Sequence, residues 1–262
     1  MSSEDTFMSH LVELRDRLLR AILAVLIVFL CLFYWARDLY TLFAHPLLNA
    51  LPQGGQMIAT DVVGVFLVPM KVTMLVAFVV ALPFVLYQIW AFVAPGLYEH
   101  EKRLVLPLVV TSFLLFLLGM AFAYFLVFPA IFKFMAAFAP EGVAWMTDIE
   151  KYFGFVLTMF VVFGVTFEEP VVIVLLVRVG IVELAKLREI RPYVVVGAFV
   201  VAAVLTPPDV VSQFMLAIPL CLLYELGLLA ARLVGTRDEE DQTKLGALAT
   251  ADSHPTAKTG QD

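Results

Sequence analysis

The chain has 262 residues, of which 62% are hydrophobic and 15% charged, whereas soluble domains carry roughly 25% charge. Its formal net charge is −6, and Asp238, Glu239, Glu240, Asp241 and Asp252 near the C-terminus supply much of it. Such a composition excludes a water-soluble domain, carries no nucleic-acid footprint, and points to a multi-pass α-helical membrane protein.

The first stretch, residues 1–20, is amphipathic. Phe7, Leu11, Leu14 and Leu18 fall at helical spacing, among His10, Glu13, Arg15, Asp16 and Arg17. It reads as a cytoplasmic amphipathic helix that can lie on the inner membrane surface. The carboxylate of Glu13 stands out there, because it works against attraction to anionic lipid.

Six apolar runs follow, near residues 21–36, 72–98, 104–132, 152–177, 192–208 and 210–231. A spanning helix needs roughly 20 apolar residues, with a usable range of about 17–25. Runs one, five and six lie near the short limit, and run five reaches only about 25 Å if wholly helical. The spans form a core over residues 21–235, and the polar, acidic segment 236–262 is expected to be disordered. Lys and Arg concentrate before span one, between spans two and three, between four and five, and after six. Both termini are therefore cytoplasmic. No cleavable signal peptide is apparent, since no small-residue site follows run one. Cys31 and Cys221 sit inside apolar runs and imply no disulfide framework.

The longest outer segment, Arg37 to Lys71, holds two short apolar stretches that Pro46 should separate into two interfacial helices. The second outer segment runs from Pro129 to Lys151. The third is the hairpin Thr206-Pro207-Pro208-Asp209.

Glu168 and Glu169 lie inside span four, where an ionised carboxylate costs at least about 2.5 kcal/mol if it faces lipid. Pro170 frees a carbonyl near Thr166, so a bent helix with a polar notch is expected there. Such acids are either held neutral within the bundle or functional. Glu225 should snorkel toward the cytoplasmic interface, and Gln88 and Gln213 can join helices. An enzyme is not indicated. No H-E-x-x-H motif occurs, the four histidines lie outside the span centres, and Ile173 stands where an E-E-x-x-x-R pattern needs arginine. Neither cofactor nor metal is implied. An ion-coupled small-molecule transporter using Glu168 and Glu169 is the alternative reading.

Five motifs, in order on six spans, carry a resemblance. They are His10 to Leu18, Phe92 to Arg103, Phe163 to Pro170, Arg191-Pro192-Tyr193 and Leu205 to Asp209. Together they resemble the TatC family, the polytopic core of the twin-arginine protein translocase, through about Arg232. The resemblance implies an all-α membrane protein, a curved, glove-like six-helix bundle in the bacterial cytoplasmic (inner) membrane. It implies binding of the paired-arginine signal peptides of folded precursors, and export driven by the proton-motive force. The implied partners are TatA, TatB, membrane lipid and further copies of the chain within the receptor complex. By position, the signal-peptide site comprises Glu13, Arg15, Arg17, Phe92, Glu101 and Arg103. Pro46 and Asp209 match outer-face positions where changes impair transport. Glu168 matches the family's intramembrane polar position, and Glu169 departs from the apolar residue usual before the proline.

Overall fold

The structure, a computed structural model, describes residues 3–48, 56–93, 105–137, 146–206 and 210–252, with side chains over 8–44, 57–92, 106–134, 147–206 and 210–233. Pro46, Glu101, Arg103 and Asp209 therefore lie outside the described side chains.

Five helical stretches are long and apolar enough to cross a membrane: Met8–Ala44, Gly64–Phe92, Leu106–Phe134, Ile149–Arg178 and Val210–Leu233. A sixth apolar helix, Arg191–Leu205, is shorter at 15 residues, as the sequence foresaw for span five.

Helix α1 (Ser3–Leu32) passes through a 3-10 turn, Phe33–Trp35, into α2 (Ala36–Leu48). The N-terminal amphipathic stretch is thus continuous with span one in a single helix. Nothing between Arg20 and Ala21 breaks a helix, and an interruption would leave carbonyls and N–H groups unpaired on both sides. The outer segment differs from expectation. One helix runs through Pro46 and ends two residues later, so the proline removes a single hydrogen bond near the C-terminus rather than splitting the element. Aromatic packing fixes α2, with Tyr40 on Phe153 and Phe43 edge-on to Phe160.

Strand β1 (Gln56–Ile58) leads into α3 (Gly64–Val93), and β2 (Met146–Asp148) leads into α6 (Ile149–Thr166). Both helices start on the outer side and run inward, so their lead-in strands pair in parallel, Gln56 opposite Met146. Asp148 closes this junction. Its side chain accepts from the Glu150 and Lys151 backbone N–H groups at 2.9 and 3.0 Å, capping α6, and also accepts the Thr60 hydroxyl. These bonds hold its carboxyl down at about 2, with the Thr60 hydroxyl contributing most.

Between them, α4 (Val105–Phe122) passes through a π turn, Ala123–Val127, into α5 (Phe128–Ala137). Pro129, just beyond, lacks the N–H that would continue the ladder, and the wider turn absorbs the mismatch. Helix α7 (Glu169–Arg178) completes span four, α8 (Leu184–Glu189) is short, and α9 (Arg191–Leu205) and α10 (Val210–Asp252) form the last hairpin. Helix α10 continues past the membrane end into the stretch from residue 236 that was expected to be disordered. Its Ala, Leu, Glu and Gln content favours a helix.

The core gathers Val72, Phe128, Phe153, Phe163 and Leu216, each at most 2% exposed. Without a hydrophobic drive between helices in lipid, close backbone approach supplies the packing. A side chain on Gly119 would collide with the Phe163 carbonyl, and one on Gly227 with Ile173 and Pro170. Gly119 thus seats α4 on α6, and Gly227 seats α10 on α7.

Candidate functional site

The inner end of α1 meets the inner end of α3. Glu13 and Arg17 stand one turn apart on α1, and the Arg17 guanidinium donates to Glu13 Oε1 through Nη2 at 2.6 Å and Nε at 2.9 Å. Its Nη1 reaches Gln88 Oε1 on α3 at 3.5 Å, and Gln88 is buried. The His10 ring stacks on Phe92 with centroids 4.4 Å apart and planes 21° from parallel. His10 Nδ1 lies 3.9 Å from Glu13 Oε2. His10, Glu13 and Arg17, spaced three and four apart, therefore form one stripe against α3.

The structure brings together Glu13, Arg17 and Phe92 from the sequence-derived set. Arg15 instead pairs with Asp16 at 2.9 Å on the exposed side, two-thirds accessible. His10 was within the motif but unassigned, and its spacing to Glu13 was the available signal. Gln88, one of the two glutamines able to join helices, links α3 to Arg17.

The second feature is the break in span four. Helix α6 ends at Thr166, and the Glu168 N–H donates to the Val165 carbonyl at 3.0 Å in a tighter turn. Both Val171 and Val172 N–H groups then donate to the Glu168 carbonyl at 3.0 Å as α7 begins. Pro170 has no N–H to offer Thr166, so the ladder restarts here. The helix break expected at Pro170 from the sequence is therefore present.

The two acids separate at the break. Both carboxylate oxygens of Glu168 and Oε2 of Glu169 are buried without a hydrogen-bond partner. Glu168 faces the Ser112 hydroxyl of α4, outside good bonding geometry, and that hydroxyl accepts the buried Trp90 indole N–H at 3.2 Å. Glu169 faces α10, within electrostatic range of Cys221 and Tyr224. Adjacent helical residues point about 100° apart, and here that divergence gives each acid its own neighbour. Unpaired buried carboxylates cost free energy that only a partner or a proton can offset.

The last hairpin carries lesser polar links. Gln213 Nε2 donates to the Phe199 carbonyl at 3.1 Å, and Thr206 Oγ1 to the Ala202 carbonyl at 2.7 Å. Glu225, expected to snorkel toward the cytoplasmic interface, is about half exposed, and it accepts from Arg191 Nη2 at 2.7 Å, since α9 brings a guanidinium to the same level. No cluster that could hold a metal ion occurs among the described residues.

Comparisons with known proteins agree with this architecture. The family model described as Sec-independent protein translocase protein (TatC) matches residues 9–219. A Sec-independent protein translocase protein TatC from Escherichia coli (strain K12) is 56% identical over 234 residues, covering 88% of this chain and 91% of that protein. One from Azotobacter chroococcum is 55% identical over 231 residues, with the same coverage. The crystal structure of the twin arginine translocase receptor TatC superposes with a TM-score of 0.77 at 38% identity, covering 86% of this chain and 98% of that one. The chain therefore belongs to the TatC family of Sec-independent protein translocase proteins, multi-pass proteins of the bacterial cytoplasmic membrane.

Proposed function

We propose that this chain is the signal-peptide receptor of a twin-arginine translocase, with the inner corner of α1 and α3 as the docking site for paired arginines. The observation that carries the reading is the Glu13 carboxylate, held by Arg17 on Oε1 at the inner end of α1 beside the His10–Phe92 stack. A carboxylate can accept roughly four hydrogen bonds, so a second guanidinium can add to Oε2 without displacing Arg17. Arginine's planar fork suits this geometry, and lysine's point charge does not. Glu101 and Arg103 would complete the site from the first cytoplasmic loop.

The notch at Glu168 then seats a polar group of the inserted signal hairpin or of a partner's single transmembrane helix, the role proposed for TatA and TatB. Glu168 has the stronger claim, because it faces the Ser112–Trp90 pair between spans. Pro46 and Asp209 would act on the outer face.

The test is binding of a twin-arginine signal peptide to membranes containing the full chain. Glu13→Gln and Glu101→Gln should each weaken crosslinking, and a twin-lysine peptide should bind weakly to the unaltered protein. Undiminished crosslinking in both variants refutes the docking assignment.

A further inference from the structure

On the outer half of the bundle, α1, α3 and α6 leave a groove of about 850 Å³ between them. Its walls are apolar: Val25 and Phe29 from α1, Met74 and Phe78 from α3, Leu157 and Val161 from α6. Gly154 opens the α6 wall, since a Cβ there would meet nothing within 4 Å. Thr158 adds no free donor, because its hydroxyl donates to the Gly154 carbonyl at 2.8 Å. Lys71 is the charged member of the lining, and its Nζ is held by Glu150 Oε1 at 2.7 Å.

The length of the groove suits acyl chains. The α3 wall runs from Leu67 to Phe78, about 17 Å at 1.5 Å per residue. That is close to one leaflet of a hydrocarbon core about 30 Å thick.

The charges at its head narrow the choice further. Lys71 lies seven residues into α3, about 10 Å below the helix start, and Glu150 lies in the first turn of α6. The lysine therefore snorkels upward to the outer interface. The pair is partly exposed, at 45% and 31%. An ammonium has three donors and a carboxylate two oxygens, so each partner can bind a further group without the pair opening.

We propose that this groove binds a zwitterionic phospholipid of the outer leaflet that carries a primary ammonium. The acyl chains lie between α1, α3 and α6, the phosphate takes a donor from Lys71, and the ammonium donates to Glu150. A quaternary ammonium has no N–H to give. An anionic headgroup without an amine brings its charge against Glu150. This site lies on the outer half, away from the inner corner and independent of the role proposed for it.

The test is lipid retention by the purified full chain. The protein is reconstituted separately with phosphatidylethanolamine, phosphatidylcholine and phosphatidylglycerol, re-extracted in mild detergent, and bound lipid is counted by native mass spectrometry. The chain should retain phosphatidylethanolamine about tenfold over the other two, a margin that one charge-assisted hydrogen bond can supply. Glu150→Gln, which keeps a hydrogen bond to Lys71, should abolish that preference while lipid still binds. Gly154→Leu, which fills the groove, should lose retention of all three lipids with an unchanged thermal midpoint. Equal retention of the three lipids, a preference that survives Glu150→Gln, or retention unaffected by Gly154→Leu overturns the proposal. So does one-for-one displacement of the lipid by an apolar transmembrane peptide.

Discussion

Arg17 binds a single oxygen of Glu13 twice, through Nη2 and Nε, while its remaining nitrogen reaches Gln88 on the neighbouring helix. The carboxylate that should meet incoming arginines is therefore already aimed, and the group that aims it is anchored across a helix interface. On an exposed helix a Glu–Arg pair at this spacing contributes only about 0.3–0.5 kcal/mol. Its consequence is orientation.

Glu13→Gln should weaken signal-peptide binding by about 10–100-fold, the loss of about 1.5–3 kcal/mol for a hydrogen bond to a charged group. Arg17→Lys keeps the charge but not the fork, so binding should fall less while helix stability changes by less than about 0.5 kcal/mol. Titration of a labelled peptide against membranes carrying each variant measures both.

The two acids of span four should respond differently. Glu169→Val removes a buried unpaired carboxylate and should raise stability by about 1–3 kcal/mol, with export unchanged. Glu168→Ala should raise stability similarly but abolish export, and Glu168→Gln should retain part of it. Thermal unfolding in detergent, beside export of a folded reporter, separates the effects. An export defect in Glu169→Val alone would move the functional role to Glu169.

Gly119→Ala should destabilise the bundle by about 1–3 kcal/mol, the range for overpacking a close contact, because the added methyl meets the Phe163 carbonyl. Gly197→Ala is the control, since a Cβ there meets nothing within 4 Å. Folded fraction after detergent extraction reports the difference.

Asp148 gives the outer junction a pH signature. Its carboxyl is lowered from 3.8 to about 2 by the Thr60 hydroxyl and the α6 backbone N–H groups. A depressed folded-state value means the stabilisation is complete above pH ~4 and is lost as pH falls through ~2. The thermal midpoint of Asp148→Asn should lie below that of the unaltered protein at pH 6. The two should converge as pH approaches 2.

Much of this was legible in the sequence because the bilayer imposes a simple length rule. Six apolar runs gave the spans, and Glu168-Glu169-Pro170 gave the break, since proline removes a donor wherever it stands. The deviations arose where a local signal met a tertiary partner. Pro46 reads as a helix splitter, yet aromatic packing on Phe153 and Phe160 fixes α2, which continues through it to Leu48. The π turn at Ala123–Val127 leaves no apolar gap to reveal it. The β1–β2 pairing joins segments some 90 residues apart, which periodicity does not encode. In the inner corner, Glu13 and Arg17 were readable from spacing on one helix. The His10–Phe92 stack and the Arg17–Gln88 contact required the crossing of α1 and α3.

The most direct measurement is complementation. Cells lacking their own TatC should receive this chain together with TatA and TatB, and a folded fluorescent reporter behind a twin-arginine signal should be followed across the membrane. The reporter should reach the outer side when the signal carries two arginines, fail to when it carries two lysines, and fail again with Glu13→Gln. A membrane-inserted chain that exports nothing, or that exports both signals equally, would contradict recognition of paired guanidinium groups at the α1–α3 corner.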